Sequence, residues 1–276
     1  MRIRIVDAFT DRPFAGNPAG VLLLDGAAFP DDGWMQRVAS EVNLSETAFA
    51  HRLDGTADAT DADWALRWFT PAAEVAMCGH ATLATAHVLF STGAATSLVR
   101  FATHSGVLSV RPADGGALTM DFPTAPLTAA TPPPAVALAL GAEPLAGYDT
   151  GPDVGDLLVE LADEAAVRAL TPDFAALAAL GPRGVIATAA AEDPSRGYDF
   201  VSRGFFPAVG IDEDPVTGSA HTALAPFWSA RLGRTELTGL QVSARSGFVR
   251  TELRGDRVLL TGTAVTVIDG ELHAAP

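Results

Sequence analysis

The segment CGHATLA (78–84), preceded by FTPAA (69–73), has a counterpart in TGSAHTALA (217–225), preceded by FFPAV (205–209). Pro71 and Pro207 lie 136 residues apart, and half of the 276-residue chain is 138. An offset so close to half of the length indicates a duplication, with two similar halves in one chain.

Each copy of the repeat predicts one apolar helix, from Gly79 to about Phe90 and from about Ser219 to Leu232. A helix that is apolar nearly all round is buried. Short β-runs surround each helix and often follow one another directly, which favours an α+β fold over a doubly wound sheet. We expect residues 1–123 with 265–276 to form the first half, the Pro/Ala-rich segment 124–134 to be a linker, and 135–264 to form the second half.

Composition limits the classes of partner and compartment. The formal net charge of −15 argues against a nucleic-acid partner or an anionic membrane, because both are repelled. No apolar run is long enough to span a bilayer, and the first residues lack the pattern of a cleavable signal. The single cysteine, Cys78, fits a reducing compartment. The sequence therefore predicts a cytoplasmic protein.

Residue types also limit the chemistry. All 18 basic residues are arginine, so there is no lysine for a pyridoxal Schiff base or a Walker-type phosphate loop. No dinucleotide-binding glycine motif follows a strand-like run. His80 and His87 lie seven residues apart without a matching carboxylate in the sequence, which is a poor metal site. We expect no cofactor and no metal.

Candidate functional residues gather at the starts of the two apolar helices, where free N–H groups and the positive end of the helix dipole favour an anion. If the halves face each other, both helix starts line one cleft that suits a small carboxylate. The first start carries Cys78 and His80, and the second carries Glu213, Asp214, Thr217, Ser219 and His221. Several of these residues also have a purely structural interpretation. Cys78 is then a buried apolar residue, Asp214 a turn or capping residue and Ser219 a helix cap. The glycines at the two helix starts would only permit close packing.

Glu46 is a further candidate, because it lies at the start of the apolar segment Thr47–Ala50. Desolvation there raises the pKa of a glutamate toward values useful for acid/base catalysis. The alternative is an exposed glutamate in a capping box, which the sequence alone slightly favours.

Four motifs resemble those of the PhzF-like (phenazine biosynthesis) family, within the diaminopimelate-epimerase fold superfamily. They run in family order from Val6 to about Leu224: VDAFTDRPFAGNPAGV (6–21), NLSETAF (43–49), RWFTPAAEVAMCGHATLATA (67–86) and GFFPAVGIDEDPVTGSAHTALA (204–225). The resemblance implies two pseudo-symmetric halves, each a curved, mostly antiparallel sheet around a central helix, with the active site in the cleft between them. It also implies a homodimer and a cofactor-independent isomerase, related to the enzyme that acts on trans-2,3-dihydro-3-hydroxyanthranilate.

The resemblance also implies roles for individual residues. Glu46 is implied to move a proton between carbon atoms, with His80 and Asp214 as its catalytic partners that orient the substrate. The residues expected to bind the substrate are Asn17, Cys78, Gly79, Thr217, Gly218 and Ser219, with Ser219 and neighbouring N–H groups near the carboxylate.

Two positions depart from related patterns. In the two-cysteine epimerases of the superfamily, one thiol matches Cys78, but the second thiol position is Thr217 here. A threonine hydroxyl is too weak an acid or base for that task, which disfavours two-base epimerisation. The phenazine enzyme's own motif has no cysteine before Gly-His, so a cysteine-assisted epimerisation or dehydration stays open. A catalytically idle binder of small acids is a further alternative.

Overall fold

A computed structural model describes residues 1–53 and 61–276 of the chain. These residues form two compact units: one contains Met1–Asp121 and Thr261–Pro276, and the other contains Phe122–Leu260. The segment 124–134, expected to be a linker, contains a short strand, Thr128–Ala130, that pairs with a strand of the second unit.

In its described residues, the first unit contains two α-helices in addition to its strands. In chain order, its elements are β1 (Arg2–Ala8), β2 (Asn17–Leu24), α1 (Asp32–Val42), β3 (Glu46–Arg52), β4 (Trp64–Phe69), β5 (Glu74–Val75), α2 (Gly79–Ser91), β6 (Val99–Thr103), β7 (Gly106–Pro112) and β8 (Leu118–Pro123), which ends just past the unit boundary.

The second unit adds four helices to its strands. Its elements are β9 (Thr128–Ala130), α3 (Pro134–Leu140), β10 (Ala146–Asp149), β11 (Asp156–Glu160), α4 (Glu164–Arg168), α5 (Phe174–Ala178), β12 (Gly184–Ala190), β13 (Phe200–Phe206), β14 (Ile211–Asp214), α6 (Gly218–Leu232), β15 (Glu236–Gln241), β16 (Gly247–Arg254) and β17 (Arg257–Gly262). The chain passes back into the first unit within β17 and ends with β18 (Ala264–Glu271), which pairs with β1.

The strand pairings follow the same order in both units. In the first, β1–β2 is antiparallel, β2–β3 parallel, β3–β4 and β4–β5 antiparallel, β4–β6 parallel and β6–β7 antiparallel. In the second, the series β10–β11, β11–β12, β12–β13, β13–β14, β13–β15 and β15–β16 has the same directions in the same order. The duplication predicted from the sequence is confirmed.

Each unit buries one of the apolar helices. In α2 the residues from His80 to Ala86 are all buried, and α6 is buried over most of its length, as predicted. In the second unit, alternate residues of β11 and β12 face opposite ways. Leu157 and Val185 pack in a cluster with α3, α4 and α5, whereas Leu158 and Ile186 pack in a cluster with α6. Because successive side chains of a strand point to opposite faces of the sheet, each face packs against a different set of helices.

Helix α1 is amphipathic, and the side chain of Asp31 caps it by accepting a hydrogen bond from the Trp34 N–H at 3.0 Å. Its apolar face, which includes Trp34 and Met35, packs with Leu22 and Phe49. Asn43, in the left-handed conformation, ends the helix and turns the chain into β3, so that Glu46 becomes the first residue of that strand. Among the described helices, none is long and apolar enough to cross a membrane.

Candidate active site

The first unit brings Glu46 and His80 together. Glu46 begins β3 and is 8% exposed, and His80 lies in the first turn of α2 and is 5% exposed. Glu46 Oε2 lies 3.2 Å from His80 Nε2. The contact is within ion-pair distance but does not have hydrogen-bond geometry, so this buried oxygen has no hydrogen-bond partner among the described residues. Glu46 is therefore not the exposed capping residue that its sequence context slightly favours.

Asn17 determines which nitrogen of His80 carries the proton. The Asn17 side-chain amide lies 3.1 Å from His80 Nδ1, and its oxygen accepts a hydrogen bond from Ser45 Oγ at 3.4 Å. Because the amide NH₂ can only donate, Nδ1 must be the acceptor, and in the neutral ring Nε2 carries the hydrogen. That N–H faces Ser45 Oγ, at 3.3 Å, and the Glu46 carboxylate.

Cys78 lies beside the same two residues. It immediately precedes α2 and is 6% exposed, but its thiol does not cap the helix. The Sγ atom lies 3.5 Å from His80 Nδ1, and the donor atoms of Glu46, Cys78 and His80 all lie within 4.8 Å of one another. The three side chains therefore form one buried cluster of potential acid, base or metal-ligand groups.

Burial dominates the electrostatics of Glu46. Desolvation raises the pKa of its carboxyl group above the ordinary value of 4.5, while the neighbouring Ser45 hydroxyl and Cys78 thiol oppose the rise. A raised pKa brings a carboxyl group nearer to neutral pH, where it can both accept and return a proton.

The second unit brings Asp214 and Thr217 together at the start of α6. Asp214 ends β14 and is 8% exposed, and its Oδ2 accepts a hydrogen bond of 2.6 Å from the Thr217 hydroxyl. Thr217 also accepts a hydrogen bond from Gln241 Nε2 at 3.1 Å. The Thr217 hydroxyl thus donates to a carboxylate and accepts from an amide within the same turn.

Gln241, the last residue of β15, holds this turn in place and is 1% exposed. Its Oε1 accepts from the Thr217 backbone N–H at 2.8 Å, and its Nε2 donates to the Asp214 carbonyl at 2.7 Å. His221, one turn into α6, holds the Thr217 carbonyl at 2.8 Å from its Nδ1. Complete burial lowers the pKa of His221 to about 4, so the ring is neutral.

Gly218 and Ser219 form the first turn of α6, as Gly79 does for α2. Ser219 Oγ accepts a hydrogen bond of 3.2 Å from Arg183, whose guanidinium is held by two bonds, of 2.9 and 2.7 Å, to the buried Asp156. Glu213, a further candidate from the sequence, is instead bound through both carboxylate oxygens by Arg203 at 2.7 and 2.8 Å.

Sequence reasoning missed Ser45, Arg183 and Gln241. Ser45 carried a signal, because it directly precedes Glu46 in the NLSETAF motif. Gln241 and Arg183 carried no signal in the sequence, because both lie outside the motifs. Strand pairing brings them to the start of α6.

Two units with one order of strand pairing, each around one buried helix, define an epimerase-like α+β fold. The model of the family "Phenazine biosynthesis-like protein" (PhzC-PhzF) matches residues 6–270. An "uncharacterized isomerase" of Pseudomonas aeruginosa is 49% identical over 97% of each chain. The crystal structure of a PhzF-family protein of Enterococcus faecalis superposes with a TM-score of 0.89 at 42% identity, covering 99% of each chain. A probable proline racemase of Agrobacterium radiobacter shares the fold alone, with a TM-score of 0.64 at 13% identity over 100% of this chain and 93% of its own.

The chain belongs to the PhzC-PhzF family of phenazine biosynthesis-like proteins. The resemblance drawn from the four motifs is confirmed, and so is the predicted epimerase-like α+β fold class.

Proposed function

We propose that the protein is a cofactor-independent isomerase that moves a proton between two carbon atoms of a small unsaturated or cyclic amino or hydroxy acid, with Glu46 as the acid/base. Relatives named as isomerases support the enzyme class. The observation that carries the assignment is the buried Glu46 Oε2, which has no hydrogen-bond partner among the described residues and lies 3.2 Å from His80.

In the proposed reaction, the Glu46 carboxylate removes a proton from a carbon that neighbouring unsaturation makes acidic. The electron pair of the broken C–H bond shifts the double bond, and Glu46 returns the proton to another carbon. No atom or electron is lost, so the step needs no redox partner. The N–H on His80 Nε2 faces the carboxylate and is placed to orient a polar substituent of the substrate.

For the start of α6 we propose a role in binding a carboxylate. Free N–H groups and the helix dipole favour an anion at this position. The Ser219 hydroxyl accepts from Arg183, so its own proton is available for donation to an anion. Asp214, fixed by Thr217, is proposed to orient a polar group. Replacing Ser219 with alanine is expected to weaken the binding of small carboxylates about tenfold in calorimetry, the usual effect of one charge-assisted hydrogen bond.

Proton NMR in D₂O tests the role of Glu46. The wild-type protein is incubated with trans-2,3-dihydro-3-hydroxyanthranilate and a panel of small amino and hydroxy acids, beside Glu46→Gln and the control Glu41→Gln, which alters an exposed glutamate of α1. We expect the wild type and the control to incorporate deuterium and Glu46→Gln to lose at least about 100-fold in rate. Retained exchange in Glu46→Gln refutes the role of this residue. Binding without exchange in the wild type indicates a small-acid binder.

A cysteine-dependent epimerase or dehydratase is a second candidate, which the 3.5 Å contact between Cys78 Sγ and His80 Nδ1 favours. The substitution Cys78→Ser separates the two candidates. If Glu46 is the acid/base, this variant keeps most of the activity, whereas a thiol-dependent reaction loses nearly all of it because a hydroxyl is a far weaker acid.

A further inference from the structure

The strand pairings give the first residue of β3 a counterpart in the second unit. The sequence repeat matches Phe69 of β4 with Phe205 of β13. Phe69 pairs with the second residue of β3, and Phe205 pairs with the second residue of β12. The first residues of these two strands, Glu46 and Gly184, are therefore counterparts.

A contact beside this position is present in both units. The same register matches Ser45, which precedes β3, with Arg183, which precedes β12. The buried helices match His80 with Ser219, each the second residue of its helix. In the first unit, Ser45 Oγ lies 3.3 Å from His80 Nε2. In the second, Arg183 Nη2 donates to Ser219 Oγ at 3.2 Å. The duplication thus keeps the contact but changes both of its residues.

The second unit has no carboxyl group at the position of Glu46. A Cβ on Gly184 would lie 2.1 Å from a ring carbon of Phe206, so the Phe206 ring occupies the space that a side chain here would need. The Arg183 guanidinium lies over the same ring, with its Cζ 5.0 Å from the ring centroid. Where the first unit has a buried glutamate, the second therefore has an aromatic ring with an arginine on its face.

The contacts of Arg183 fix its guanidinium and leave one end of it available. Nε and Nη2 donate to the two carboxylate oxygens of Asp156, at 2.9 and 2.7 Å, and the Asp156 side chain is fully buried. Nη1 makes no hydrogen bond or ion pair within residues 1–53 and 61–276, and 38% of the Arg183 side chain is exposed. Because the guanidinium is planar, one N–H of Nη1 runs nearly parallel to the Nη2 N–H that reaches Ser219.

Arg203, in the same unit, has a different set of contacts. Glu213 binds its Nε and Nη2, as Asp156 binds those of Arg183. Its Nη1, however, donates to the Leu170 carbonyl at 2.7 Å, and its side chain is only 12% exposed. All three nitrogens of Arg203 are therefore used within the fold, whereas Arg183 keeps an exposed donor beside Ser219.

We propose that Arg183 is a specificity-determining residue that binds the carboxylate of the substrate through Nη1, beside the Ser219 hydroxyl. This inference rests on the proposed function and adds to it a selection for negatively charged substrates. An oxygen that accepts from Nη1 comes within reach of the Ser219 hydroxyl, because Nη2 already holds that hydroxyl at the neighbouring position. Asp156 fixes the guanidinium before the substrate binds, which lowers the entropic cost of binding.

Calorimetry with a matched pair of ligands tests this role. The probes are 2-aminobenzoate and 2-aminobenzamide, which share a ring and an amino group and differ in the negative charge. We expect the wild type to prefer the acid by at least about tenfold, and the control Arg250→Gln, which alters an exposed arginine of β16, to do the same. Arg183→Lys keeps the charge but not the planar fork, and should lose about tenfold in affinity for the acid with little change for the amide.

A second variant covers the case in which the single substitution does not fold. Arg183→Gln alone would leave the buried Asp156 carboxylate without its counter-charge, which is strongly destabilising. Arg183→Gln combined with Asp156→Asn removes both charges together and keeps a pair of groups that can form hydrogen bonds. Circular dichroism checks the fold of this double variant, which should bind the acid and the amide equally, within about threefold.

The ratio of the two affinities separates recognition of the charge from a structural role. Either variant of Arg183 overturns the proposal if it keeps the wild-type preference for the acid or loses affinity for both ligands equally. A wild type that binds the acid no more tightly than the amide also overturns it. Loss of the preference for the acid in a protein that exchanges no deuterium upholds the role of Arg183 and refutes the proposed function alone.

Discussion

Gln241 offers a direct test of how the Asp214–Thr217 turn is held. The amide is 1% exposed and makes three hydrogen bonds, to the Thr217 N–H, the Asp214 carbonyl and the Thr217 hydroxyl. Replacement by leucine keeps most of the volume but leaves a buried N–H and a buried carbonyl without this partner. At about 1–3 kcal/mol for each such group, offset in part by the added apolar surface, Gln241→Leu should lower the free energy of unfolding by about 2–4 kcal/mol.

Urea unfolding, followed by tryptophan fluorescence and circular dichroism together, measures this loss. The matched control is Gln36→Leu, which removes one hydrogen bond of 2.8 Å, from a half-buried amide to the Thr70 carbonyl. It should cost about 1 kcal/mol or less. If Gln241→Leu unfolds within about 0.5 kcal/mol of the wild type, the three bonds do not hold the turn and the reasoning fails.

Gln241→Glu separates hydrogen bonding from packing, because it keeps the shape of the side chain. One carboxylate oxygen can still accept from the Thr217 N–H, but the other replaces a donor and faces the Asp214 carbonyl. The variant should be as unstable as Gln241→Leu at neutral pH and regain stability as the pH falls and the new carboxyl group protonates. An unchanged stability between pH 7 and pH 5 contradicts this account.

The remaining predictions concern buried groups. Burial raises the pKa of the Glu46 carboxyl group in the folded state. Its contribution to stability is therefore complete below the unfolded pKa of 4.5 and is lost as the pH rises through the folded pKa. Glu46→Gln should raise Tm at pH 7.5 and change it little at pH 4. Burial lowers the pKa of His221 from 6.5 to about 4, so the wild type should lose about 3 kcal/mol as pH falls from 6.5 to 4, and His221→Gln should not. Gly184→Ala should cost about 1–3 kcal/mol in urea unfolding, because its Cβ would lie 2.1 Å from a ring carbon of Phe206.

Controls accompany these three predictions. Glu41→Gln, at an exposed site, should leave the pH dependence of Tm unchanged. Gly26→Ala places a Cβ no closer than 3.7 Å to its neighbours and should be nearly neutral. Equal losses in Gly26→Ala and Gly184→Ala contradict the packing argument. A His221→Gln variant with the acid sensitivity of the wild type contradicts the assignment to His221.

The fold was predictable where apolar pattern and repetition carry it. The buried helices were expected from Gly79 to about Phe90 and from about Ser219 to Leu232, and they run over Gly79–Ser91 and Gly218–Leu232. The short elements were not expected, among them β5, β9, β14 and α3. A strand of two to four residues has too few side chains to show an alternating pattern, so its identity depends on the neighbour with which it pairs.

The candidate site was predictable only in part, because sequence proximity and spatial proximity differ. Cys78 and His80 are neighbours in the chain, and their contact follows from local structure. Burial of Glu46 does not, since the same residue after Ser45 suits an exposed cap equally well; pairing of β3 with β2 and packing against α2 enclose the carboxylate. Gln241 lies 27 residues beyond Asp214, and β15 alone brings it to the turn.

The two units share one arrangement of strands and helix but differ in the surroundings of the buried carboxylate beside that helix. Both place a hydrogen-bond donor just before the buried helix, a thiol at Cys78 and a hydroxyl at Thr217. The first unit also buries Glu46 with an oxygen that lacks a hydrogen-bond partner among the described residues, whereas the second gives the Asp214 carboxylate a 2.6 Å bond from Thr217. Under the proposed function, the first unit supplies the acid/base, Glu46, and the second unit supplies groups that bind the substrate.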